Sequence, residues 1–190
     1  MNVRDLARSR MSVRRFRTGP VSDEAIRRIV DAGRLAPSGA NRQPWRFVVV
    51  DDPGTKRAIR GECERVERAF HARAPRDLAE WMASRGITPD KPFLERAPYL
   101  ICVFYDAQQP YPVPSTWIAV GFMLLQTAEE GLGTVTYTPA GADLNRILEV
   151  PPEFKLAAIL PIGIPADESA PPPRRSIEEI AFRNRFGNQF

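Results

Sequence analysis

The chain has 190 residues, 43% apolar and 26% charged, which suits one domain with a full hydrophobic core. Its formal charge is +4, but the 27 basic and 23 acidic residues are interleaved rather than gathered into basic runs, so neither nucleic acid nor a membrane is indicated as a partner. No apolar run approaches the roughly 20 residues of a spanning helix, no apolar leader is visible, and one histidine with two distant cysteines, Cys63 and Cys102, offers neither a metal site nor a disulfide, so a cytoplasmic location is expected.

Residues 2–9 read as a short helix with Leu6 on its apolar side, and residues 11–17 as extended chain. Ser22 is a helix N-cap, with Asp23 and Glu24 at the positive end. Ile26, Ile29 and Val30 then recur at helical spacing until Pro37 ends the run. Ser38, Gly39 and Ala40 leave little side chain over the backbone, so a flat ligand has room there. Residues 45–50 are aromatic and β-branched, as in a buried strand. Asp52-Pro53-Gly54-Thr55 is a turn that starts another helix. Residues 56–85 are charged and helical in pattern, with a break near Ala74-Pro75. They form either a cover over a site or a surface helix pair. Residues 99–105 are an apolar strand. Ser115 is expected to cap a helix over 117–129, apolar nearly all round and therefore buried within the chain or between subunits. Gly131 and Gly133 stop it. A strand over 134–137, a short helix over 143–148 and a strand over 156–164 follow. Ala170 to Pro173 is a stiff linker, and Ser176-Ile177-Glu178-Glu179 is a capping box that opens a last short helix. This order predicts an α+β fold over a single domain, 1–190. No Gly-x-Gly-x-x-Gly or phosphate-binding Gly-Lys-Ser/Thr loop is present.

Three clusters carry candidate chemistry. In extended chain, Arg10, Ser12 and Arg14 share one face, and two guanidiniums with a hydroxyl suit a phosphate. Arg174 and Arg175 follow the proline run. Thr136-Tyr137-Thr138-Pro139 places hydroxyls and a backbone N–H at a strand end. A single histidine and the lack of a nucleophile elbow exclude most hydrolytic and metal chemistry.

These separated motifs resemble, in the same order, those of the FMN-dependent nitroreductase superfamily, and the Ala36-Pro37-Ser38-Gly39-Ala40 loop is most similar to the iodotyrosine deiodinase-like branch. The resemblance implies a central mixed, mainly antiparallel sheet flanked by helices, in an intertwined homodimer. It makes 56–92 a helical lid-like insertion and 170–190 a C-terminal extension. It implies FMN held by Arg10, Ser12 and Arg14, with Met11 where the family usually has a basic residue, and by Arg174, with Arg175 the second choice. Pro37, Ser38 and Gly39 would touch the partner subunit's flavin. Thr136 and Tyr137 would line the ring, and Thr138, the one residue given a catalytic role, would hydrogen-bond flavin N5. Ala40 would lie over the substrate side.

In the deiodinase branch a Glu, a Tyr four residues later and a downstream Lys grip a halotyrosine zwitterion. Here Glu67 fits the first place and His71 stands at the second. The nearest lysine, Lys91, is read as displaced, so the clamp is incomplete. Glu67 and His71 share one helix face and could bind a polar substrate. The expected function is ping-pong electron transfer from NADH or NADPH, through FMN, to a small aromatic acceptor such as a nitroaromatic or quinone. Reductive dehalogenation of halophenols or halotyrosine is the alternative, and a non-enzymatic flavin-binding protein is a third.

Overall fold

The computed structural model describes residues 2–166 and 171–190. In chain order the elements are α1 (Val3–Ser9), β1 (Phe16–Arg17), α2 (Asp23–Arg34), β2 (Trp45–Val50), α3 (Pro53–His71), α4 (Arg76–Ser84), α5 (Phe93–Arg96), β3 (Tyr99–Asp106), α6 (Pro112–Glu129), β4 (Phe154–Ile162), β5 (Ile164–Pro165) and α7 (Ile177–Ile180). The fold is α+β, as the sequence predicts. Antiparallel β2-β3-β4 is its centre, with Trp45 opposite Tyr105 and Tyr99 opposite Ile162. β1 pairs with β5, and one parallel bridge joins Ser12 to Thr134. Among the described residues no helix is long and apolar enough to cross a membrane, and no cluster suited to a metal is found.

Alternation along β3 builds two cores. Ile101 and Val103 face α2 and α6, packing with Ile29, Val120 and Met123. Leu100, Cys102 and Phe104 face the other side, against Ile59 and Cys63 of α3 and Leu94 of α5. Gly33 lets α2 approach α6: a Cβ there would lie 2.7 Å from Met123 Cγ. The charged segment after residue 56 therefore begins in the core, and only its later part leaves the sheet. Lys56 is itself buried, and its ammonium donates to the carbonyls of Ala97 (2.9 Å) and Pro98 (3.0 Å) beyond the end of α5.

Several sequence expectations change. Ser115 is not the cap of α6. Tyr111, at φ 51°, precedes Pro112 in the first turn, and Ser115 lies inside the helix, where its hydroxyl accepts the Gly39 N–H at 3.2 Å. Segment 134–137 makes only isolated bridges, at Gly133, Thr134 and Tyr137. Segment 143–148 is a run of turns, not a helix. Asn145 explains this: its side-chain amide donates to the carbonyls of Val150, Pro151 and Phe154, which competes with helical continuation. Gly163 separates β4 from β5, packed so tightly against Phe16 and Pro98 that a Cβ would come within 2.8 Å of each. The capping box at Ser176 is present. The expected linker begins at Ala170, outside the described residues.

Candidate functional site

α3 starts on the Asp52 side chain, which accepts the Thr55 N–H at 2.6 Å, and Pro53 suits its first turn. Its buried stripe, Lys56, Ile59 and Cys63, roots the helix in the core. Beyond Glu64 it carries Glu67 and His71 one turn apart. Pro75 then opens α4, and the segment that follows reaches Lys91 just before α5, which packs on α3. That segment is pinned: Glu64 accepts the Lys91 backbone N–H at 2.8 Å while Arg60 donates to the same carboxylate at 2.7 Å. Burial opposes the charge on Glu64, but the bonds from Arg60 and Lys91 outweigh it and hold the carboxyl below its ordinary value.

Lys91 is thereby brought to Glu67. Its Nζ lies 3.2 Å from Glu67 Oε2, with the two side chains 9% and 18% exposed. It also donates to the Thr88 carbonyl. The Tyr137 hydroxyl donates to Glu67 Oε1 at 2.9 Å, and the Tyr137 ring meets Phe93 edge-on at 5.6 Å. Burial, then the neighbouring Cys63 and Glu67, push the Tyr137 phenol strongly up, so it remains a donor. His71 Nε2 is 3.8 Å from Glu67 Oε2, buried and without a hydrogen-bond partner. Glu67 faces two hollows. One, of about 700 Å³, also holds Arg14, Trp81, Lys91 and Tyr137; the other holds Phe70, Arg73 and Thr138. The arrangement can exchange an internal ion pair for the ammonium and carboxylate of one ligand, beside the Thr138 strand end.

The phosphate-like cluster is only partly assembled. Arg10 and Arg174, from opposite ends of the chain, line one hollow with Ile118 and Phe122, and among the described residues no acidic one lines it. Arg14 lines the Glu67 hollow instead, and Arg175 is exposed. Ser12 is exposed and Met11 half-buried, and Val13, between Ser12 and Arg14, is buried with its N–H bonded to Thr134 O at 2.9 Å. This alternation keeps the two polar side chains on the outer face. Pro37, Ser38, Gly39 and Ala40 lie under the start of α6 and line none of these hollows. Ala40, Asn41 and Gln43 are all left-handed, at φ 47–53°, and Ser38 Oγ accepts the Gln43 N–H at 2.9 Å. Such backbone costs about 1–2 kcal/mol per residue.

Lys91 is 24 positions beyond Glu67, a separation that spacing reads as displaced; packing of α5 on α3 brings it back. Tyr137, expected to line a flavin ring, lines the Glu67 hollow and bonds Glu67. Thr136 is half-buried and Thr138 exposed.

The Nitroreductase family model matches residues 7–164. An iodotyrosine deiodinase of Thermotoga neapolitana is 41% identical over 174 residues, which cover 91% of this chain and 94% of that one. An NADH dehydrogenase of Thermus thermophilus is 31% identical, with 96% of each chain covered. The crystal structure of an oxidized iodotyrosine deiodinase bound to FMN and 3-iodo-L-tyrosine superposes with a TM-score of 0.89 at 39% identity, covering 97% of this chain and 99% of that one.

Proposed function

Because this chain belongs to the nitroreductase family, we propose that it is an FMN-dependent reductive dehalogenase of halogenated phenols that carry an amino-acid zwitterion. The observation that carries this reading is the Glu67–Lys91 pair, held at 3.2 Å in a hollow that also holds Arg14 and Tyr137. This reverses the sequence-based preference for nitro and quinone acceptors, which rested on a clamp without its lysine. Likeness to iodotyrosine deiodinases over nearly the whole chain supports the same choice.

The residues fit a phosphate-bearing flavin. Among the described residues, Arg10 and Arg174 line one hollow with no carboxylate in its lining, and Thr134 keeps a buried hydroxyl without a hydrogen-bond partner on the segment leading to Thr138. Arg10 and Arg174 would hold the phosphate, with Ser12 and Arg14 on the same outer face. Thr138 would offer its hydroxyl and N–H to the ring. Pro37, Ser38 and Gly39 would reach the flavin of a second copy. FMN, once bound and reduced by NADH or NADPH, supplies two electrons. Glu67 takes the ligand ammonium and Lys91 its carboxylate, while Tyr137 keeps Glu67 oriented. α4, with Trp81 and Arg85 beside the hollow, would exclude water. The carbon–halogen bond breaks and halide leaves. A carbon–hydrogen bond forms with one solvent proton.

A second reading, nicotinamide-driven reduction of nitroaromatics or quinones, is favoured by the likeness to the NADH dehydrogenase. The FMN-loaded protein, reduced anaerobically and mixed with 3-iodo-L-tyrosine, is expected to release iodide and tyrosine in equal amounts. Fast oxidation by quinone with no iodide release would establish the second reading. A protein oxidised by neither would be a flavin carrier.

A further inference from the structure

Glu67 has three neighbours of different kinds. Tyr137 donates to Oε1, while Lys91 and His71 both approach Oε2, at 3.2 and 3.8 Å. The histidine distance suits a charge pair but is too long for a hydrogen bond. Nε2 is nevertheless buried and has no hydrogen-bond partner among the described residues. Leaving a buried nitrogen this way costs free energy unless the site uses it.

Ligand exchange supplies the use. A ligand carboxylate must draw Lys91 away from Glu67. A zwitterion returns a cation to Glu67 with its own ammonium. A ligand without the ammonium leaves Glu67 ionised and largely buried, against the Tyr137 hydroxyl alone. Such a carboxylate needs a proton or a counter-ion. His71 sits one helical turn away on the same oxygen.

We propose, resting on the dehalogenase reading, that His71 is a spare counter-ion for Glu67, and that it lets this site take halogenated aryl carboxylates that lack an ammonium, each bound together with one proton from solvent. The proton goes to the imidazole; no bond in the ligand changes. Arg14 and Arg85 line the same hollow, but among the described residues neither pairs with Glu67, whereas His71 lies on its Oε2. Phe70, on the same helix, offers only a ring edge, 5.9 Å from the His71 ring centre. Lys91 from the loop before α5, Arg14 from the N-terminal segment and Arg85 after α4 are permanent cations near neutrality; Tyr137 stays protonated, and Asp90 is exposed. Imidazole is the side chain among them that ordinarily gains charge in this range.

The linkage separates two ligand classes. Binding that takes up one proton weakens about tenfold per pH unit above the histidine range. Binding of the zwitterion needs none on His71. The FMN-loaded protein is titrated with 3-iodo-L-tyrosine and with 3-(4-hydroxy-3-iodophenyl)propionate across neutral pH, and quenching of flavin fluorescence is followed. Both probes carry the same iodophenol, so its ionisation cancels in the ratio of the two dissociation constants. That ratio is expected to rise about tenfold per unit at the alkaline end, and to be flat in His71→Gln. Calorimetry in buffers of different ionisation enthalpy should count about one more proton taken up with the acid than with the zwitterion. A flat ratio in the parent, or a slope that survives in His71→Gln, overturns the counter-ion role and leaves the dehalogenase reading standing. Failure of the zwitterion to bind at any pH overturns both.

Discussion

Tyr137 decides how much of the clamp is pre-formed. Its backbone is locked to β4 by two hydrogen bonds with Ile159, and its hydroxyl reaches Glu67 from below. Tyr137→Phe keeps the ring packing and removes the bond. A hydrogen bond to a charged group contributes about 1.5–3 kcal/mol, so zwitterion affinity should fall roughly tenfold or more while FMN affinity holds. Unchanged ligand affinity in a fluorescence titration would show that Glu67 needs no such support. The phosphate assignment is tested in the opposite sense. Arg10→Ala and Arg174→Ala should each weaken FMN by about 1.5–3 kcal/mol. Parent-like FMN affinity in both variants would remove the basis for pairing the two chain ends at one anion.

At the scale of elements, α3 is a core helix that becomes a site helix. Its first half packs on the sheet and its second half carries Glu67 and His71. This is why the chain can present a carboxylate at a fixed place from a segment that reads as surface. Glu64 joins the halves, since it holds the loop that delivers Lys91. Its carboxyl is held below 4.5 in the fold, so its contribution is present above that pH and is lost as pH falls through the lowered value. Acid should therefore loosen the Lys91 loop: protection of the Lys91 amide relative to its intrinsic exchange rate should fall as pH drops through the lowered value, and Glu64→Gln should already be less protected at neutral pH. The α2–α6 contact gives a stability prediction. Gly33→Ala drives a methyl into Met123 and, at 3.1 Å, Phe47 Cζ, and should cost about 1–3 kcal/mol in a denaturant midpoint. Parent-like stability would mean the interface can slide.

At the scale of the whole molecule, α6 presents two apolar faces and the chain covers one. Ala119, Val120 and Met123 are buried, while Trp117, Ile118 and Phe122 stay 39–43% exposed beside the hollow of Arg10 and Arg174. Such a patch marks an interaction surface. With Pro37, Ser38 and Gly39 lining neither the Thr138 hollow nor the Arg10 hollow in one chain, a homodimer is the expected assembly. Light scattering should give twice the 21.3 kDa chain mass. Ile118→Asp should yield a monomer that binds FMN poorly; a monomer with parent-like FMN affinity would detach the cofactor site from assembly. The thiols follow from the same burial. Cys102 is pushed up by its apolar surroundings, and Cys63 to about 12, first by burial and then by nearby carboxylates. Neither should label with a thiol reagent until the protein unfolds.

The amino-acid sequence alone determined the α+β class, the strands at 45–50 and 99–105, and the capping boundaries at Ser22 and Ser176. Each of these rests on local pattern: period, cap chemistry, or a short motif. The tertiary structure decided the rest. Lys91 reaches Glu67 because α5 packs on α3 and Glu64 holds the Lys91 N–H, and spacing along the chain cannot report a distance across the fold. Ser115 left its expected cap role because Pro112 starts α6 a turn earlier. Segment 143–148 lost its helix because Asn145 found three carbonyl partners outside it. Tyr137 turned inward because burial of a large ring and a bond to Glu67 outweigh exposure at a strand end. In each case the outcome was set by interactions between residues distant along the chain or by a competition among hydrogen-bond partners, and a linear pattern contains neither.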